Sequence, residues 1–72
     1  MRYIAVFPTL TLAQKAQRAL RSENVAAETV KVDSSKTRRG CSWGVAFDEG
    51  ALFSVRMIFS NRSIAEREII KE

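Results

Sequence analysis

Apolar residues along this chain come in two kinds of run, some alternating with polar residues and some recurring at helical spacing. Their order sets the fold expectation. Tyr3 to Phe7 is an unbroken apolar run with aromatic and β-branched members, stopped by Pro8. Such a run reads as a buried central strand. Thr11-Leu12-Ala13-Gln14 has the Thr-x-x-Gln form of a capping box, so a helix is predicted to begin there. Leu12, Ala13, Ala16, Ala19 and Leu20 share one face of that helix, and Gln14, Lys15, Gln17, Arg18 and Arg21 share the other. The pattern ends near Asn24.

Thr29-Val30-Lys31-Val32 alternates as a half-buried strand, and Trp43-Gly44-Val45-Ala46-Phe47 does the same with its large residues two apart. Asp33 to Ser42 is the loop between them. Asp48 is placed to cap a second helix whose buried stripe is Ala51, Leu52, Val55, Ile58 and Phe59. Phe53 and Met57, four residues apart, project from the other side with Arg56 and Ser60 beside them, which marks a candidate interface. The final segment carries two signals. Ser63-Ile64-Ala65-Glu66 has the form of another capping box, whereas Ile69-Ile70 suits a strand. The order of the preceding elements decides for the strand. The chain then reads β-α-β-β-α-β, an α+β ferredoxin-like sandwich of two layers, with an antiparallel sheet and both helices on one face.

Length limits what this fold can bury. A chain of 72 residues forms one domain spanning 1–72, and a domain of that size buries only about 60% of the surface its unfolded chain exposes. One cysteine permits no internal disulfide, and with no histidine the usual zinc spacings are missing, so neither a metal site nor a cofactor is expected. Self-association, most simply as a homodimer, is one route to further buried area. The same absences remove Cys-His and Ser-His nucleophile pairs and any Cys-x-x-Cys redox cycle. The apolar run at the start is too short for a signal-peptide core, and nothing approaches a membrane span, so the chain reads as cytoplasmic.

The net charge is +4, and it is unevenly placed: Lys31, Lys36, Arg38 and Arg39 face only Asp33 in their stretch. That cluster would attract an acidic partner surface, a nucleic acid or an anionic substrate. Cys41 sits directly behind it, in Arg38-Arg39-Gly40-Cys41-Ser42-Trp43-Gly44. Thiols react as thiolates, and Lys36, Arg38 and Arg39 favour the thiolate form. A fall of one pKa unit would raise the thiolate fraction at pH 7 from about 3% to about 24%. Gly40 and Gly44 permit a tight turn and keep bulk away from the sulfur. The plain alternative is a cysteine that only packs, as many free cysteines do.

With these residues in place, the chain resembles a family of small bacterial proteins described as selenium or sulfur carriers, formerly a domain of unknown function. The resemblance rests on an opening strand ending in Val6-Phe7-Pro8, a first helix carrying Ala16 and Ala19-Leu20, and a basic loop. That loop runs into Gly40-Cys41-Ser42-Trp43-Gly44-Val45-Ala46-Phe47. The tail departs from the pattern, with Glu66-Arg67-Glu68-Ile69-Ile70 in place of an aromatic, acidic final strand. The resemblance implies a persulfide or selenopersulfide relay on Cys41, with Arg38 and Arg39 as thiolate stabilisers and docking charges. It implies a carrier more than an enzyme, loaded by a donor of the cysteine desulfurase type and unloaded by an acceptor protein.

Two other functions suit the same element order. RNA-recognition modules share it and place stacking aromatics on the central strands. Arg39-Gly40-Cys41 lacks the aromatic that their motif needs after Arg-Gly, and Gly44 breaks its spacing, so nucleic acid is disfavoured as a partner. A regulatory or interaction domain of this fold remains open, because fold does not determine function.

Overall fold

The computed structural model describes residues 1–33 and 42–72. Its elements follow the order β1 (Arg2–Phe7), α1 (Leu10–Ser22), β2 (Glu28–Val32), β3 (Ser42–Asp48), a short 3-10 turn (Glu49–Ala51), α2 (Leu52–Asn61) and β4 (Glu68–Lys71). The four strands form one sheet in the order β2-β3-β1-β4, with every neighbouring pair antiparallel. This is the ferredoxin-like arrangement expected from the alternation of element types. The unbroken apolar run became β1, an interior strand with β3 on one side and β4 on the other. The outer strands β2 and β4 are short and carry Glu28, Lys31, Glu68 and Lys71, which discourages further strand pairing at the edges.

Side chains alternate across the sheet, and the two faces differ. Ala5, Phe7, Val45 and Phe47 join Ala13, Ala16 and Leu20 of α1 and Val55 and Phe59 of α2 in one buried cluster. Small residues on α1 against large ones on the sheet let the helix lie close to the strands. Phe7 meets Phe59 edge-on at 5.8 Å and 74°, an arrangement worth about 0.5–1.5 kcal/mol beyond area burial, and it links the central strand to α2. On the opposite face Ile4, Val6, Val32 and Ala46 form a second buried cluster flanked by Val30 and Ile70. Arg2 closes one end of that face. Its guanidinium donates from Nε and Nη2 to the two carboxylate oxygens of Glu72, both at 2.6 Å, and from Nη1 to Glu28 at 2.9 Å. The bonds to Glu72 first, and to Glu28 second, hold the Arg2 pKa above its already high value.

Helix ends differ from the sequence expectation in two places. The N-cap of α1 is Thr9, not Thr11: Thr9 is extended (φ −135°, ψ 157°), and its Oγ1 accepts from Leu12 N at 3.2 Å. Thr9 directly follows Pro8 and the end of β1, so the chain turns into the helix at the first residue able to cap it. Leu12, expected on the buried face, is 40% exposed. The second difference lies after α2. Ser63 does not open a third helix; it ends the second, with φ 56°, while Ile64 N donates to Phe59 O at 2.8 Å. The end of α1 is built the same way, with Asn24 at φ 64° and Val25 N donating to Leu20 O at 2.9 Å. In both, a residue in the left-handed region reverses the chain and the next apolar residue turns back toward the core. Asp48 caps as expected, its carboxylate accepting from Gly50 N at 2.8 Å, but the turn it starts is 3-10 before α2 begins.

Candidate functional site

Of the residues singled out by sequence, Lys36, Arg38, Arg39, Gly40 and Cys41 lie outside the described residues. The frame on either side of them is described. Val32 at the end of β2 pairs with Ser42 at the start of β3, and Lys31 pairs with Trp43. Trp43 also pairs with Phe7 on β1, so the residues following Cys41 enter the interior of the sheet at once. Ser42 is buried there, and Trp43 is half-buried against the helix-side core.

Gly44 sits inside β3, between Val6 of β1 and Val30 of β2, rather than in a turn. Its φ lies outside the left-handed region, so conformational freedom is not what it supplies. It supplies space. A methyl added there would stand 2.4 Å from Ile4 Cγ2, 2.9 Å from Val32 Cγ2 and 3.2 Å from Ala5 O. Ile4 and Val32 lean over the position that any larger residue would fill, and the strand start that carries the cysteine segment depends on this fit.

Phe53 and Met57 lie as the helical spacing predicts, on the outward side of α2, and are 76% and 49% exposed. With Val25, Ile58, Ser54 and Glu23 they line a shallow hollow of about 270 Å³. The aromatics on the central strands point the other way from what an RNA-recognition surface requires. Tyr3 and Trp43 pack with the helix-side core, and Tyr3 lies 6.2 Å from Phe47 on the neighbouring strand.

A feature that sequence reasoning passed over is a cleft between α1 and the turn after α2. Lys15, Arg18, Ala19 and Ser22 line it from α1, and Arg62 and Ile64 line it from the other side. The period of α1 places Lys15 and Arg18 on a polar face, but nothing local brings Arg62 opposite them. Among the described residues, no cluster of three or more His, Cys, Asp or Glu could hold a metal ion, and no helix is long and apolar enough to cross a membrane. Comparison with protein-family models, with curated proteins and with solved structures finds no match to this chain.

Proposed function

We propose that the protein carries sulfur or selenium as a persulfide or selenopersulfide on Cys41. The observation that carries this reading is a lone thiol set behind Lys36, Arg38 and Arg39 in a chain with no histidine and no second cysteine. Positive charge favours the thiolate without a dedicated base, and a thiol with no internal partner can exchange only with an outside sulfur. Loading is a thiol exchange. The Cys41 thiolate attacks the outer sulfur of a donor persulfide, a new S–S bond forms on Cys41, and the donor's S–S bond breaks to leave its thiolate. Unloading repeats the step with an acceptor thiolate attacking the outer sulfur on Cys41. No external oxidant or reductant enters either step. The paired ends of β2 and β3 support the reading by tying both sides of the cysteine segment to the sheet.

The test is intact-mass measurement after incubation with cysteine and a cysteine desulfurase. Cys41 should gain about 32 Da that a reductant removes, while Cys41→Ser folds and gains nothing. If no added sulfur is found and the folded protein resists thiol alkylation, Cys41 is a packing residue and the carrier reading fails. The exposure of Phe53 and Met57 supports a second reading, a domain whose role is association through α2. That reading is indifferent to Cys41→Ser, so the same variant separates the two.

A further inference from the structure

Lys15 and Arg18 stand three residues apart on the exposed side of α1, and Arg62 follows the last turn of α2. The fold brings all three to one cleft of about 530 Å³, with Ala19 and Ile64 as its apolar lining and Ser22 at its edge. That volume falls within the roughly 300–1,000 Å³ of small-molecule sites. Arg62 is already oriented: its Nη2 donates to Ser22 Oγ at 3.2 Å and to Glu23 Oε2 at 2.9 Å. A guanidinium has further N–H donors, and these remain for a ligand. Lys15 and Arg18 have no carboxylate partner among the described residues, where Glu23 is the one acid bound to this group of cations.

Three cations in one cleft repel each other, and one carboxylate leaves two positive charges uncompensated. A bound dianion would relieve that repulsion more fully than a monoanion. The planar forks of Arg18 and Arg62 suit phosphate oxygens, and the half-buried Ile64 offers an apolar surface to whatever the phosphate is attached to. We propose that the cleft between α1 and the turn after α2 binds a small organic phosphate monoester. Its phosphate lies among Lys15, Arg18 and Arg62, and its apolar body lies on Ile64. The three cations gather around one hollow instead of spreading along a face, which suits a small anion better than a long polyanion. None of this depends on Cys41.

Phenyl phosphate titrated into isotopically labelled protein at constant ionic strength, followed by amide chemical shifts, tests the proposal. Saturable shifts are expected at Arg18, Ala19, Ser22, Arg62 and Ile64, with inorganic phosphate binding more weakly because it leaves the apolar lining bare. Arg18→Gln should weaken binding about 5- to 10-fold with the spectrum otherwise intact. Arg18 is the decisive variant because Arg62→Gln also removes the bonds to Ser22 and Glu23. Arg67→Gln, outside the cleft, should change nothing. Non-saturating shifts, shifts that sodium chloride reproduces, or equal losses from Arg18→Gln and Arg67→Gln would overturn the proposal. So would saturable binding of a DNA oligonucleotide without saturable binding of phenyl phosphate, which would mark a general polyanion surface instead.

Discussion

Replacing Gly44 by alanine places a methyl 2.4 Å from Ile4 Cγ2 and 2.9 Å from Val32 Cγ2, well inside the roughly 3.5–4.0 Å at which carbon atoms rest. Neither neighbour can easily swing aside, since both are β-branched, almost fully buried and held in paired strands. Overpacking of this kind costs about 1–3 kcal/mol. Against it stands the smaller conformational freedom of alanine in the unfolded chain, worth about 0.4–1 kcal/mol in the opposite direction. The steric term wins, and a net loss of about 1–2 kcal/mol should lower Tm by roughly 5–15 °C in a domain of this size. Trp43, the only tryptophan and the residue next to Gly44, gives a local fluorescence signal for thermal and urea unfolding, with circular dichroism as the global one. A double-mutant cycle with Ile4→Ala locates the cause: Gly44→Ala should cost less in that background, by about 0.5 kcal/mol or more. An unchanged or higher Tm for Gly44→Ala, or strict additivity with Ile4→Ala, would refute the argument that Gly44 is there for space.

Ser63 holds φ 56° at the end of α2, a conformation that costs an L-residue about 1–2 kcal/mol, so Ser63→Gly should raise the urea midpoint by a modest amount despite glycine's freer unfolded state. A lower midpoint would mean that the serine compensates locally for the strain. Phe53→Lys should weaken any self-association seen by light scattering without lowering Tm, because the side chain is 76% exposed; a parent protein that stays monomeric at high concentration removes the homodimer. Arg38→Gln with Arg39→Gln should raise the Cys41 pKa and slow its alkylation at pH 7, by about eightfold for a one-unit change. In that variant the alkylation rate is reduced near neutral pH and recovered at alkaline pH, where the thiolate forms unaided. An unchanged rate profile would remove the arginines from the mechanism.

Much of this fold is local in origin and therefore legible residue by residue. Val55 and Phe59 of α2 and the alanines of α1 are buried where a period of 3.6 puts them, and the run from Tyr3 to Phe7 is apolar because Ala5 and Phe7 on one side of β1 and Ile4 and Val6 on the other are all buried. The rival capping signals show where local reading stops. Thr11-x-x-Gln14 and Ser63-x-x-Glu66 have the same form, yet neither caps a helix. At the first, Thr9 was nearer the end of β1 and took the cap. At the second, α2 was still ending when the motif began, and Ile64 was drawn back toward the core. A capping motif states only what a residue can bond, whereas the path of the chain decides what is within reach.

By itself, the sequence determined the order and type of the strands and helices and most of the polar and apolar positions on both helices, and it set a single thiol next to a cluster of cations along the chain. It did so because periodicity, caps and charge act over a few residues. Tertiary structure alone decided the rest. It put Gly44 under Ile4 and Val32, partners 40 and 12 positions away along the chain, so that a residue legible only as a flexible one became a matter of volume. It turned Tyr3 and Trp43 toward the helices, and it set Arg62 across from Lys15 and Arg18. Each of these depends on strand register or helix placement. Those are set by how the whole core packs, and no window of neighbouring residues contains that information.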